Sequence, residues 1–279
     1  MRHIKVSFGN FFFLREFVPT AVFVGLASLY FGIASPVSAG EKSEWKSLSG
    51  KHFIVFYMDE LSFAETVARF AEKYYHETAR QLGYTRYKGF WLWRNRVRIY
   101  IYRNHSEFIA QVTAPQWAAG KADYGSKSIF TYSGSEEFIR SLLKHELAHL
   151  VFRDFIGFQG EVPLWLDEGV AQWLEGRSDI SHEFVKQMAK NDRLLSLADL
   201  TATDVRHEKA AGDVAEFYAQ SVSVVEFMIR QYGAQKFESF CRQLRNGKNL
   251  NDALRFTYGG TIRSIEEIEK AWKKSLELR

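Results

Sequence analysis

Cysteine is almost absent from this sequence, since Cys241 is the only one in 279 residues. No intramolecular disulfide can form, so the stability of the fold must come from its core and from any bound metal. Cys241 falls into a helical pattern with Phe237, Phe240 and Leu244, which predicts a buried thiol. There are only four prolines and no low-complexity tract, so disorder is not expected outside the two ends.

A large excess of one charge sign is also missing. The chain has 37 basic and 33 acidic residues, which gives a net charge of +4. Residues 1–39 contain three basic residues and one acidic residue, which leaves 34 against 32, or +2, for the rest of the chain. This balance gives no broad basic surface, and no nucleic-acid partner is expected.

One long apolar run is present, at residues 17–34 near the N-terminus. Basic residues precede it, and the small residues Val37 and Ala39 suit cleavage by signal peptidase before Gly40. We therefore expect residues 1–39 to be a signal peptide and the protein to be exported to the periplasm or secreted. The alternative is an uncleaved membrane anchor, because the run is close to the shortest length that spans a bilayer. In either case the rest of the chain lies outside the cytoplasm.

Hydrophobic patterns in the remaining sequence predict an α+β fold with two lobes. Residues 45–157 mix strands with helices and form the first lobe, whereas residues 158–279 are almost entirely helical and form the second. The strands are expected at His52–Tyr57, Arg96–Tyr102 and, as one or two short strands, Gly120–Tyr132; helices are expected at 61–82, 106–112, 135–157 and 163–175. The aromatic segment Phe90–Trp93, followed by arginines, is expected to be a packed turn, with contact to a membrane interface as the alternative.

Residues 145–149 read His-Glu-Leu-Ala-His and fall in the middle of a predicted helix. Helical positions four apart differ by about 40° around the axis, so His145 and His149 point to the same side and can bind one Zn²⁺. Glu146 is rotated from His145 by about 100°, so it can contact a water at the metal without being a ligand. The alternative for the two histidines is a hydrogen-bonded pair in the core.

The next predicted helix, at residues 163–175, is apolar around most of its circumference, although Asp167 and Glu168 lie at its centre. A buried carboxylate without a partner costs several kcal/mol, so at least one of the two needs a cation or strong donors. Glu168 can supply the third protein ligand that a catalytic zinc site requires. The alternative is that both carboxylates are half-exposed or paired with arginines such as Arg153.

The motif His145-Glu-Leu-Ala-His149, eighteen intervening residues and Glu168 within Trp-Leu-Asp-Glu-Gly-Val-Ala resemble the gluzincin clan of zinc peptidases. The bacterial peptidase MA-like domains show the closest resemblance, over about residues 51–278. The resemblance implies one Zn²⁺ per chain held by His145, His149 and Glu168, with Glu146 as general base.

The same resemblance implies two further parts of the site. Tyr218 matches a tyrosine that hydrogen-bonds the oxyanion of the tetrahedral intermediate, although its helical pattern also fits a core aromatic. Gly120–Tyr124 matches an edge strand that holds an extended peptide. The sequence departs from the thermolysin branch at Gln172, where that branch has an aspartate bonded to a ligand histidine. Asp167 can serve instead, although it is expected on another face of the helix.

These features predict zinc-dependent hydrolysis of a peptide or protein substrate. An endopeptidase is favoured over an aminopeptidase, because Gly120–Tyr124 does not resemble the family's amine-binding motif. The alternative function is a catalytically inactive binding or scaffold module of the same fold that zinc stabilises. A third reading is a helical protein without a metal.

Overall fold

The structure is a computed structural model. It describes residues 45–84, 91–92, 95–114, 116, 118–157, 162–176, 178–203 and 211–277. The expected signal peptide or anchor lies outside these residues, so that expectation stays a prediction. In the part of the chain that is described, no helix combines the length and the apolar character that crossing a membrane requires.

A mixed five-stranded sheet forms the N-terminal part of the described chain. Its strands are β1 (Lys46–Ser49), β2 (Phe53–Tyr57), β3 (Val97–Tyr102), β4 (Gly120–Asp123) and β5 (Ser128–Tyr132), in the spatial order β1-β2-β3-β5-β4. β2, β3 and β5 are parallel, whereas β1 and β4 run antiparallel at the two edges. Val55, Ile99 and Ile129 are paired in register across the three parallel strands and are fully buried, so they mark the core face of the sheet.

The helices are α1 (Leu61–Gln81), α2 (His105–Val112), α3 (Leu143–Ile156), α4 (Leu164–Glu175), α5 (Ser178–Lys190), α6 (Leu197–Ala202), α7 (Ala211–Tyr232), α8 (Ala234–Arg245), α9 (Leu250–Tyr258) and α10 (Ile265–Glu277). One turn of π-helix, Phe138–Leu142, leads directly into α3. α4 ends as predicted at Gly176, whose φ of 95° is strained for any residue with a side chain. The predicted α+β class is confirmed.

α3 joins the sheet region to the helical region. It packs against α1, which covers β2, and on its other sides against α4 and α8. It is therefore buried on nearly all sides, as its apolar residues on both sides of the histidines indicate. The division into two lobes at residue 157 stays a prediction, because residues 158–161 lie outside the described residues.

β1 was not predicted, since its residues Lys46–Ser49 are mostly exposed and show no apolar alternation. The aromatic segment at 90–93 is described only at Trp91 and Leu92. Trp91 is buried, and its indole nitrogen donates a hydrogen bond to Asp154 Oδ2 over 2.9 Å. For this residue the packed turn is confirmed.

Candidate metal centre

The two histidines of the motif lie on one face of α3 and point at each other. Their Nε2 atoms are 3.1 Å apart, and both side chains are about 1% exposed. Two imidazole nitrogens at this distance can share a proton in a hydrogen bond. They can equally both bind one metal ion through their lone pairs. The i, i+4 spacing thus produces the geometry that the sequence predicted.

Glu168 on α4 completes the set. Its Oε2 atom lies 3.5 Å from Nε2 of His149 and 3.9 Å from Nε2 of His145. Ligand atoms around a tetrahedral zinc, each at about 2.0–2.1 Å, are separated by about 3.3 Å. Oε2 of Glu168 is buried and accepts no hydrogen bond from the described residues. A buried carboxylate oxygen directed at two imidazoles fits a divalent ion, and these three residues are called the metal centre below.

Asp167 orients one of the histidines. Its Oδ1 atom accepts a hydrogen bond from Nδ1 of His149 over 2.9 Å, while Arg153 Nε donates to its Oδ2 over 2.8 Å. Burial by itself raises the pKa of Asp167, but the charges of His149 and Arg153 overcome this and hold it well below the usual range. Burial lowers the pKa of His149, yet the charges of Asp167 and Glu168 raise it to about 10. The alternative pairing with Arg153 holds for Asp167, whereas Glu168 faces the imidazoles.

Glu175 lies beside the other histidine, and it was not predicted from the sequence. Its Oε2 atom lies 3.3 Å from Nδ1 of His145, and its Oε1 atom accepts a hydrogen bond from Ser141 in the π-helical turn. Glu175 comes seven residues after Glu168, which places the two on the same face of α4, two turns apart. This spacing of seven residues could have predicted that Glu175 lies near the site. Gln172 is buried one turn from Glu168, and the described carboxylates beside the Nδ1 atoms of the two imidazoles are those of Asp167 and Glu175.

Tyr124 contacts the predicted general base. It follows β4 directly, and its hydroxyl donates a hydrogen bond to Oε2 of Glu146 over 2.9 Å. The other oxygen, Oε1, is buried and has no hydrogen-bond partner among the described residues. Burial raises the pKa of Glu146, although the charges of His145 and His149 and the hydrogen bond from Tyr124 counteract part of the rise. Tyr124 was predicted only as the end of a substrate strand, and its contact with Glu146 was not predicted.

Tyr124 also packs against the metal centre. Its ring meets the ring of His149 edge-on at 5.8 Å between centroids, and the guanidinium of Arg153 lies 4.5 Å from its centroid. Arg153 therefore contacts both Tyr124 and Asp167 and ties the end of β4 to the partner of His149.

A glycine brings Tyr218 close to the metal centre. A Cβ atom on Gly169 of α4 would lie 2.5 Å from the backbone oxygen of Ser221 on α7, so the two helices approach closely only because residue 169 has no side chain. Tyr218 lies one turn before Ser221 and is buried. Burial raises its pKa well above the usual value, and the charge of nearby Glu168 raises it further. Its role at the site stays a prediction.

β4 occupies the edge of the sheet, as predicted for Gly120–Tyr124, and in the described chain it pairs only with β5. Lys121 on β4 forms no ion pair with Glu168 among the described residues. Its Nζ donates a hydrogen bond to the carbonyl oxygen of Val112 instead. A Cβ atom on Gly120 would lie within 3 Å of the side chains of Leu142 and Phe138, so glycine lets β4 pack closely on the π-helical turn.

A family model described as the peptidase MA superfamily matches residues 87–277, which is more than half of the chain. The match runs from before β3 to the end of α10, so it includes every residue of the metal centre, whereas the expected resemblance began near residue 51. No curated protein matches the sequence at a meaningful level. On the strength of the family match, the chain belongs to the peptidase MA superfamily.

Proposed function

We propose that the protein hydrolyses peptide bonds with the help of one Zn²⁺ held by His145, His149 and Glu168. The observation that carries this proposal is the convergence of three buried ligand atoms within 3.1 to 3.9 Å of one another. Two imidazoles and one carboxylate are a donor set that suits zinc and leaves the fourth position open. Zinc in such a site supplies Lewis acidity and lowers the pKa of a bound water to about 7.

Asp167 supports the proposal because it holds the imidazole of His149 by a hydrogen bond, and Glu175 supports it because its carboxylate lies 3.3 Å from Nδ1 of His145. A carboxylate on Nδ1 fixes the tautomer in which Nε2 carries the lone pair, and it makes the imidazole a stronger donor to a metal. Both carboxylates come from α4, the helix that also carries Glu168. Gln172 stands where the thermolysin branch has an aspartate, so Asp167 and Glu175 take the place of that aspartate beside the ligand histidines.

Glu146 acts as general base and then as general acid. Its Oε1 atom is the carboxylate oxygen without a partner, so it can accept a proton from the attacking water. The same oxygen then delivers this proton to the nitrogen of the leaving amine as the C–N bond breaks. Tyr124 holds Oε2 through its hydroxyl group and so fixes the direction in which Oε1 points.

Tyr218 donates a hydrogen bond to the oxyanion that forms on the substrate carbonyl. Its raised pKa supports this role, because the hydroxyl stays protonated and remains a donor throughout the range in which proteins are stable. A donor aimed at a developing oxyanion is typically worth about 3 kcal/mol of barrier.

The substrate is a peptide or protein that lies along β4 as an additional strand. Support comes from the position of β4 at the sheet edge and from Tyr124, which links the end of that strand to Glu146. We favour an endopeptidase, since an extended strand can bind on both sides of the scissile bond. The signal-like pattern of residues 1–39 supports action outside the cytoplasm, with membrane association through residues 17–34 if the segment is not cleaved.

The test compares wild type with Glu146→Gln on a mixture of fluorogenic peptides and on an unfolded protein, with zinc content measured alongside. The variant should keep its zinc and lose at least about 1,000-fold in kcat/KM, because the base is gone while the ligands remain. Glu137→Gln makes the same change at an exposed position and should behave as wild type. A wild-type protein that holds a full equivalent of zinc and cleaves nothing would instead support the scaffold function.

A further inference from the structure

A second group of metal-ligating side chains lies away from the metal centre. His52, Glu72 and His76 each offer one ligand atom, and these three atoms lie within 4.8 Å of one another. Glu72 and His76 are four residues apart on α1 and share one face of that helix. His52 comes from the turn that precedes β2. The cluster, called the α1 cluster below, therefore joins a helix to a segment twenty residues earlier.

The backbone holds Glu72 in place for this arrangement. The backbone N–H of His52 donates to Oε1 of Glu72 over 2.9 Å, while Nδ1 of the same histidine lies 2.6 Å from Oε2. A Cβ atom on Gly50 would lie 2.8 Å from Oε1 of Glu72, so the carboxylate fits because residue 50 has no side chain. One oxygen is fixed by the main chain and the other is directed at an imidazole.

The rest of the α1 cluster combines a fixed and an adjustable ligand. The ring of His52 is buried and stacks on Tyr75 at 4.1 Å between centroids. The ring of His76 meets it edge-on at 5.2 Å and is exposed, so it can rotate towards an ion that arrives from solvent. Glu72 is half-buried between them. A preformed pair with an exposed third ligand gives an ion a path of entry.

We propose that the α1 cluster binds a second divalent transition-metal ion of the zinc type. Two imidazoles and one carboxylate are the donor set that selects such ions over magnesium or calcium, which prefer oxygen ligands. The ion replaces the proton between His52 and Glu72, and this proton leaves to solvent. The backbone donor to Oε1 remains, so the carboxylate stays oriented in both states.

The ion stabilises the fold through the residues that contact His52. Tyr75, which stacks on His52, packs on Trp91 at 5.0 Å between centroids. Trp91 in turn donates a hydrogen bond to Asp154 near the end of α3. An ion at the α1 cluster therefore fixes the turn before β2 onto α1 and strengthens a contact chain that reaches α3. This inference does not rest on the proposed hydrolysis.

The test is zinc stoichiometry on the metal-stripped full chain without a histidine tag, dialysed against buffered zinc. Wild type should bind two ions per chain. His76→Ala should bind one, and Glu72→Gln should bind the second ion at least about tenfold more weakly, as expected when a group that holds a metal is lost. His182→Ala, the same change at a half-buried histidine outside both sites, should still bind two.

The α1 cluster and the metal centre are separated by their own variants. His149→Ala should remove the ion that His76→Ala leaves in place. Zinc should raise the melting temperature of His149→Ala but not that of the double variant His76→Ala/His149→Ala. A wild type that binds one ion or none, with no loss in His76→Ala, overturns the inference. One ion that disappears in His76→Ala but not in His149→Ala supports the α1 cluster and contradicts the proposed function. Peptide cleavage should survive in His76→Ala.

Discussion

α4 and α10 are helices of similar length, but α10 begins with exposed acidic residues, whereas α4 has buried acidic residues at its centre. In α10 the buried residues Ile265, Ile268, Trp272 and Leu276 form one stripe, while Glu266 and Glu267 stay in solvent. In α4 the side chains of Asp167 and Glu168 are buried at the centre of the helix. Water stabilises the exposed carboxylates of Glu266 and Glu267, whereas the buried carboxylates of Asp167 and Glu168 depend on partners in the protein or on a bound ion.

The two buried carboxylates of α4 have different kinds of neighbours. Asp167 is ionised beside Arg153 and His149, so its charge is matched by the protein. Glu168 faces the two imidazoles of α3 and accepts no hydrogen bond from the described residues through Oε2. A buried carboxylate that faces metal-binding groups therefore indicates a site, whereas the helical pattern alone indicates only a position.

Removing the carboxylate charge of Glu168 should have the largest effect. Glu168→Gln keeps the shape of the side chain but removes a ligand, so zinc affinity should fall at least about 100-fold and peptide cleavage with it. Glu266→Gln on α10 makes the same change in solvent and should leave both unchanged. Zinc content by mass spectrometry and kcat/KM measure the two outcomes. Equal zinc affinity in Glu168→Gln and wild type would remove the distinction between the helices.

Adding a methyl group to α4 should have the next largest effect. In Gly169→Ala the new Cβ atom meets the backbone oxygen of Ser221 at 2.5 Å, which forces α4 and α7 apart. The gain in helix propensity, about 1 kcal/mol, is smaller than the cost of moving two packed helices, about 1–3 kcal/mol. We expect a net loss in the free energy of unfolding by urea, together with reduced kcat as Tyr218 moves away.

The control for that prediction is Gly260→Ala, where a Cβ atom meets nothing within 4 Å. Its unfolding free energy should stay within about 0.5 kcal/mol of wild type, as for most surface substitutions. A Gly169→Ala protein that is as stable and as active as wild type would show that the close approach of the two helices is not needed.

Tyr124→Phe should have a smaller and purely kinetic effect. The variant removes the hydrogen bond to Glu146 and leaves the ring against His149, so zinc content should not change. A hydrogen bond to a charged group is worth about 1.5–3 kcal/mol, which corresponds to a fall in kcat of about 10- to 100-fold. Tyr74→Phe removes a hydroxyl that donates to the carbonyl of Ile139 and should leave kcat unchanged. Loss of zinc from Tyr124→Phe would assign the hydroxyl to the metal centre instead.

The last prediction concerns an ionisable group that burial keeps uncharged. Cys241 on α8 is fully buried, and burial raises the pKa of its thiol well above the usual value. The thiol stays neutral at pH 8, so native protein should react with a disulfide reagent at less than about a hundredth of the rate of the unfolded protein. Rapid labelling of native Cys241 would mean that α8 opens easily.

The sequence predicted the elements that depend on local pattern. The helix around His145 and His149, the helix of Glu168 with its end at Gly176, and the edge strand starting at Gly120 all follow from periodicity and turn residues. The α+β class followed from the order of these elements. β1 could not be predicted, because an exposed polar strand carries no apolar alternation.

Contacts between distant residues were harder to predict. Tyr124 reaches Glu146 because β4 passes beside α3, and only the sheet order shows this. Glu175 had a signal, its spacing of seven from Glu168, but an acidic residue at the last position of a helix usually faces solvent. The α1 cluster forms because the turn at His52 packs against α1. The sequence of neither segment predicts that contact.

The most direct test of the metal centre is a crystal structure of the zinc-loaded protein, with an anomalous difference map at the zinc absorption edge. We predict a peak within about 2.0–2.2 Å of Nε2 of His145, Nε2 of His149 and a carboxylate oxygen of Glu168. A map with no peak at this position, or one in which Glu168 points away from the two imidazoles, would contradict the account.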